Sequence, residues 1–486
     1  MPTLNELGAA LRAQLVEVLI GGDDTVKAPA DSFVSWFSPG VPFEASDFDF
    51  AAKGLGSGAT AEEERRLLDQ AYGFSTLVDF APDASGLFSD AQQQTLYRSA
   101  QERMSHLYGE ILRLSRVADE ELTGEIQAKL DNWRSKLQVT KTVKDVVTDE
   151  ASEIVEDSPM VKAYNQYMSE FLAAKLQFNA KRVAAAVAQG EEGKAAVIDW
   201  STNASLYRMQ VTQAEGKWTS VGRRSDVEKL WAAIDQVTSR SMRLWKQRLL
   251  QNFDDSMLTG LLPGASFRPA TLYPANFAAS SGWTKFGMTS TNITSSMREK
   301  STHWSAGAGY NSGFWSRAQG GVQSNSTTHT ENMQVSSFEL SFELAQVTII
   351  RPWFYPEFFK NRGWTLDPGH GWNFDKVPSD GNRPPNGLLV GYPTTVVFAR
   401  NIRIVSSELV TALKTFTKSL EGKTSGGWGP FSVKGSYGRT ESGRDFTSQD
   451  DGQSLVVPGM QAVAFINQLV PKAPNPLPDL KPEDFV

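Results

Sequence analysis

The chain has 486 residues, 40% of them hydrophobic and 21% charged, with a formal charge of -7 and no cysteine. Disulfides, zinc–thiolate sites, iron–sulfur clusters and cysteine nucleophiles are therefore excluded, and the length predicts two or three domains rather than one core. The acidic excess falls in the N-terminal part and only Arg208 to Arg248 is locally basic, so no clustered basic face points to nucleic acid.

Thr3-Leu4-Asn5-Glu6 reads as a capping box, with Leu4, Leu11, Leu15 and Leu19 on one stripe of the helix that follows. No basic flank precedes an apolar core, which disfavours a cleavable signal peptide. No apolar run is long enough for a transmembrane helix, although β-barrel insertion would leave no such run. The compartment stays open. From Ala28 to Gly58 the rings of Phe33, Trp36, Phe37, Phe43, Phe48 and Phe50 crowd an acidic stretch, read as a loop with short helices.

Further helix starts are predicted at Thr60-Ala61-Glu62-Glu63, Ser89-Asp90-Ala91-Gln92, Ser158-Pro159 and Ser225-Asp226-Val227-Glu228, with Gly190 and Gly216 as stops. Apolar stripes run through Leu96–Leu114, Leu122–Leu137, Val161–Phe178 and Val227–Leu244. Helices this long pack lengthwise, so residues 1–258 are expected to form a helical bundle.

The character changes at Leu258–Gly264, and residues 259–470 are expected to form an antiparallel β-rich domain, giving an α+β chain. Phe338, Leu340, Phe342 and Leu344 alternate with Glu339, Ser341 and Glu343, a strand with one wet face. The apolar phase then slips to Val347 and Ile349, which predicts a bulge at Ala345-Gln346. The expected hairpin partner is His303 to Trp315, across a polar loop from Ser316 to Ser336. A second copy of this layout runs from Gly427 through Tyr437 and Asp450-Asp451-Gly452 to Met460–Val470. Strand Val396–Val405 and a helix from Ser407, with Leu409, Leu413, Phe416 and Leu420 on one face, lie between the copies. Residues 471–486 read as a proline-rich tail.

Chemistry is sparse. Of the four histidines, His106 has no metal-ligand spacing, and His303 with His329 supplies two ligands without a third. Gly54-Leu55-Gly56-Ser57-Gly58 lacks the buried strand a phosphate cradle needs, and Gly422-Lys423-Thr424 lacks the upstream glycine. No catalytic, metal or cofactor residue is assigned. The long loop Asn361–Gly387 carries Trp364, Asp367, His370, Trp372 and Asp375 directly after an aromatic run, and Trp353, Phe354, Tyr355, Trp364, His370 and Trp372 are the candidate binding residues.

Two function classes follow, and an enzyme is disfavoured. The first is a non-enzymatic membrane- or surface-acting effector of pore-forming type, whose amphipathic hairpins insert in a homo-oligomer; the arrangement resembles pore-forming toxins in general, with no family motif matched. The second is an oligomeric assembly protein that meets a protein or glycan partner through the aromatic region 353–387.

Overall fold

The computed structural model describes residues 2–20, 31–56, 60–83, 94–97, 102–118, 124–144, 151–186, 190–238, 241–260, 265–290, 314–317, 323–325, 333–366, 372, 374–420, 425–436 and 445–486. The chain is mixed α+β and divides into two compact units, Met1–Val117 with Gln247–Phe485, and Ala118–Lys246.

The first unit contains helices α1 (Leu4–Ile20), α2 (Asp49–Lys53), α3 (Ala61–Val78) and α4 (Met104–Leu114), with strands β1 (Ser32–Phe43), β2 (Gln94–Leu96) and β3 (Ser115–Val117). The second unit contributes α5 (Gly124–Leu137), β4 (Gln138–Lys144), β5 (Ala151–Asp157), α6 (Pro159–Ala186), α7 (Gly190–Ser220) and α8 (Arg224–Thr238). The chain returns to the first unit within α9 (Met242–Asp255), followed by β6 (Leu258–Thr259), β7 (Ser266–Phe267), β8 (Thr271–Tyr273), β9 (Thr284–Thr289), β10 (Phe314–Arg317), β11 (Gln323–Asn325) and β12 (Glu339–Ile350). Then come α10 (Glu357–Lys360), β13 (Trp364–Leu366), β14 (Gly391–Val405), α11 (Ser407–Ser419), β15 (Ser425–Trp428), β16 (Phe431–Ser436), β17 (Asp445–Thr447), β18 (Gln449–Asp450) and β19 (Ser454–Leu469).

A large sheet of order β2-β1-β19-β14-β12-β8, with β9 beside β12 and β18 beside β19, is the frame of the first unit. Its long strands are antiparallel neighbours. Both faces are covered. One carries α1, α11 and the sheet β11-β10-β15-β16-β17, joined in a core with Leu11, Leu15, Leu340, Phe342, Ile404, Leu413, Trp428 and Phe431. The other packs α3 and the Phe43–Phe50 segment against Val347, Ile349, Phe398 and Phe465.

That double burial explains the slip in β12. Leu340, Phe342 and Leu344 point into the first core, whereas Val347 and Ile349 point into the second. Pairing of β12 with β14 is continuous from Leu344↔Ala399 to Val347↔Val396, so no bulge lies at Ala345-Gln346. A strand whose buried side changes along its length needs no extra residue, because successive side chains already point to opposite faces. The irregularities sit in the neighbouring strands: Asn401 in β14 has φ +54° where pairing steps from Ser341↔Arg403 to Glu343↔Arg400, and Gly459 in β19 has φ +74°. Asparagine and glycine are the residues that tolerate this region.

The expected hairpins are corrected too. β12 pairs with β14, β9 and β8 rather than with His303–Trp315; of that segment only Phe314 and Trp315 are described, and they pair with β15 and β11. β19 pairs with β14 and β1, not with Gly427–Tyr437. Period-two alternation orients side chains but carries no information about the partner strand. The aromatic run at Phe33–Phe43 is itself strand β1: Trp36 lies in the first core, Phe37 and Phe43 in the second, and Phe33 packs on Val390, so the rings do not lie on one helical stripe. The proline-rich tail is docked: Arg362 donates to the carbonyls of Asn475 and Pro476, and Phe485 is buried.

Local capping follows the sequence in several places. The N–H of Thr3 donates to Glu6 Oε2 and the Glu6 N–H to Thr3 Oγ1. Thr60 accepts from the Glu63 N–H, Ser158 from the Val161 N–H and Ser406 from the Leu409 N–H. The Ser89 box lies outside the described residues.

In the second unit, α6 and α7 have 28 and 31 residues. They run antiparallel: Phe171 stacks on Trp218 at 5.4 Å, and Phe178 meets Trp200 at 5.3 Å. A small core of Leu137, Val161, Tyr164, Trp218 and Val227 ties the base of that helical pair to α5 and α8. Gly216 does not stop α7, and Gly190 begins it. The box expected at Ser225 is displaced because α8 starts at Arg224, after Arg223 takes φ +49°.

Candidate functional site

The predicted aromatic residues are brought together, but into a core. Trp353, Phe354, Trp364 and Trp372 are buried, and only Tyr355 is half-buried. Tyr108 of α4 lies 4.9 Å from Phe354 and 6.2 Å from Trp353, Phe253 of α9 lies 5.9 Å from Trp353, and Trp364 stacks on Phe358 at 4.7 Å. The Trp353 indole N–H donates to the Pro269 carbonyl, and the Tyr355 hydroxyl accepts from Asn252. These rings satisfy one another and the apolar faces of α4 and α9. Trp372 packs separately on Phe374 at 4.7 Å. His370 and Asp367, like His303 and His329, lie outside the described residues.

A different feature stands out at one end of the large sheet. Thr289 of β9 is opposite Glu339 of β12, Glu339 is also opposite Val405 of β14, and Val405 is opposite Ser454 of β19. The chain leaves the sheet from this row twice, after β9 until it returns as β12, and after β14 until it returns as the short β18 and then β19. Each exit is closed like the base of a hairpin, by Ser290 N–H to the Phe338 carbonyl and by Ser406 N–H to the Gln453 carbonyl. The two excursions then pair with each other, β10 against β15 from Phe314↔Trp428 to Arg317↔Ser425.

Beneath them the sheet is amphipathic. Leu340, Phe342, Ile402, Ile404, Leu455 and Val457 face the excursions and are buried. On the opposite face Glu339, Ser341, Arg403 and Val456 are exposed, and Glu343 forms a 2.8 Å ion pair with Arg400.

A few polar contacts hold the excursions in place. Gln461 of β19 is wholly buried, donating to the Ser432 carbonyl at 2.7 Å and accepting from the Ser432 N–H at 2.8 Å. Buried Arg12 of α1 donates to the Gly429 carbonyl at 2.6 Å. Glu408 at the start of α11 accepts from the hydroxyl and the N–H of Ser336, linking the end of the first excursion to the start of the second.

Those Ser336 donors lower the Glu408 carboxyl to a pKa of about 2, and the Ser454 and Gln453 N–H groups lower Asp451 to about 2 as well. A carboxyl depressed by folding stabilises above its unfolded pKa and loses that contribution as pH falls through its folded value. The melting temperature is therefore expected to fall as pH drops from about 4.5 to about 2. Glu408→Gln should flatten part of that slope; an unchanged profile would remove Glu408 from the linkage.

Sequence reading missed a cleft of about 370 Å³ in the first unit, lined by Asp79, Arg103, Ser105, His106, Arg113, Phe253 and Arg268 among others. Its frame is built from helix ends. Asp79 follows α3 and accepts from the N–H and hydroxyl of Ser105 in the first turn of α4, at 2.7 and 2.6 Å. Buried Arg268 donates to the Phe253 carbonyl in the last turn of α9, and its guanidinium lies over the Phe253 ring. Arg351 plays the same part for α3, donating to the Val78 carbonyl at 2.9 Å. Both arginines directly precede a proline, Pro269 and Pro352, and Arg351 ends the apolar run Val347–Ile350, a place from which a charge can cap orphan helix carbonyls.

Among the described residues no group of His, Asp or Glu side chains is arranged to hold a metal ion, and no helix is long and apolar enough to cross a membrane. Comparison of the chain with protein families, curated proteins and solved structures finds no match.

Proposed function

We propose that the chain is a membrane-acting effector of pore-forming type, in which the two excursions leave the large sheet and extend its antiparallel pairs β9–β12 and β14–β19 as hairpins. The observation that carries this reading is that both excursions leave the same end of the sheet between strands already paired. Each is about fifty residues long, where a membrane-crossing strand needs about 9–11. Vacating the covered face would leave a sheet end with one apolar and one charged side, the alternation a barrel wall requires.

A cysteine-free chain makes the test direct. Arg317 and Ser425 are opposed across β10 and β15, so Arg317→Cys with Ser425→Cys places a staple between the two excursions at a spacing suited to a disulfide. The wild type is expected to release dye from liposomes, the oxidised double variant to release none, and reduction to restore release. Absence of wild-type leakage across lipid compositions and pH would sink the reading, as would full leakage from the oxidised variant.

A second reading, assembly without insertion, draws support from α7. Ile198, Leu206 and Met209 are 64%, 44% and 50% exposed, and with Thr202 and Gln213 they form an uncharged stripe at helical spacing. Oligomers in solution that leave liposomes intact would favour it. The aromatic region 353–387 supports it less, because its tryptophans are packed inward.

A further inference from the structure

We infer that the cleft between the end of α3, the start of α4 and the end of α9 binds a phosphate monoester, gripped by Arg103, Arg113 and Arg268. Three observations lead there, and none depends on the excursions moving.

The acidic group inside the cleft is already committed. Both Asp79 oxygens accept from Ser105, and its charge acts on Arg268 and on the buried Arg351. It caps α4 and does not offer an open cation site.

Arg113 and Arg268, by contrast, converge on one shared carboxylate, Arg268 donating in addition to the Phe253 carbonyl and to Ser256 Oγ. Arg113 Nη2 and Arg268 Nη2 approach the same Asp254 oxygen, at 3.0 and 3.8 Å. That carboxylate is 57% exposed; burial disfavours the charge on Arg268 most, Asp254 favours it, and the nearby Arg113 disfavours it. Arg113 has one further carboxylate, Glu110 at 3.7 Å. Arg103 lines the same cleft and is exposed. An anion placed among them would relieve the like-charge repulsion, as Asp254 does now from the cleft's exposed side.

The shape selects the class of anion. A volume of about 370 Å³ suits a small ligand. Arg103 just before α4, Arg113 in its last turn and Arg268 after α9 line the cleft from three positions. That arrangement suits the several oxygens of a tetrahedral phosphoryl group better than one planar carboxylate, which a single arginine fork can satisfy. Ser266, exposed in the same cleft, offers a hydroxyl suited to an ester's polar remainder.

The phosphate monoester could belong to a soluble metabolite or to a lipid headgroup, and the experiment separates them. Full-length protein is titrated with inorganic phosphate, with glycerol phosphate, and with phosphatidylcholine vesicles containing or lacking phosphatidic acid. Saturable binding that weakens with salt is expected for at least one phosphate-bearing probe. Binding only to phosphatidic acid vesicles assigns the headgroup, and binding of the soluble probes alone assigns the metabolite. Arg103→Ala with Arg113→Ala, both at exposed positions, should weaken binding at least about tenfold with the melting temperature retained. Arg268→Gln removes a buried cap, so its loss of binding counts only if it melts like the wild type. Asp254→Asn removes the built-in competitor and should tighten binding several-fold. No saturable binding of any probe, a double variant that binds like the wild type, or an Asp254→Asn protein that binds more weakly would each overturn the assignment.

Discussion

Phe342→Asp is expected to yield no cooperatively folded protein. Phe342 is 3% exposed, sits opposite Phe286 of β9 with ring centroids 4.7 Å apart, and meets Phe431 of the small sheet edge-on at 5.2 Å. The substitution removes an aromatic burial worth about 2–3 kcal/mol. It also places a carboxylate in an apolar core, at several kcal/mol more. The sum approaches the whole stability of an ordinary domain, about 5–15 kcal/mol. Soluble yield and far-ultraviolet melting check it. Ser341→Asp, one residue away on the exposed face, provides the contrast and should melt near the wild type. If the two variants behaved alike, the assignment of even-numbered residues to the covered face would be wrong.

How far the sequence carries is visible in that strand. Its existence and the wet face of Glu339, Ser341 and Glu343 are legible from alternation alone, as are the capped starts of α1 and α11. What was not legible depends on long-range facts. Val347 and Ile349 look out of phase until a second core exists to receive them. Phe33 to Phe43 look like a loop until β19 supplies a partner from the far end of the chain, such as Ile466 opposite Val34. Rings at Trp353 and Trp364 carry the same composition whether they meet a partner or each other, and only the apolar faces of α4 and α9 decide. Arg268 and Arg351 carry no mark of burial in the sequence, because burial of a guanidinium depends on helix carbonyls brought to it by the fold. The pairing of the two excursions, β10 to β15, left no trace in composition at all.

Gln461→Leu should weaken the attachment of the small sheet to the large one, which their shared apolar core otherwise maintains. The Gln461 amide takes the place of a strand, giving Ser432 one donor and one acceptor at 2.7 and 2.8 Å inside a dry core. Gly40 allows the approach: a Cβ there would stand 2.8 Å from the Pro430 carbonyl and 2.9 Å from Gln461 Oε1. Leucine keeps most of the volume but strands a buried N–H and a buried carbonyl, each costing about 1–3 kcal/mol, so a loss of about 2–4 kcal/mol is expected in denaturant melts. Gln461→Glu gives a sharper sign. The Ser432 carbonyl needs a donor, so the introduced carboxyl must stay protonated in the folded state and its folded pKa must be raised. Its penalty should shrink as pH falls, opposite to the acid loss tied to Glu408. If the excursions do leave the sheet, Gln461→Leu should also lower the threshold for dye release, since it removes a contact made only in the folded-back form. A variant with wild-type melting, or one whose Glu version worsens in acid, would mean that Ser432 finds other partners and that this amide does not hold the excursion down.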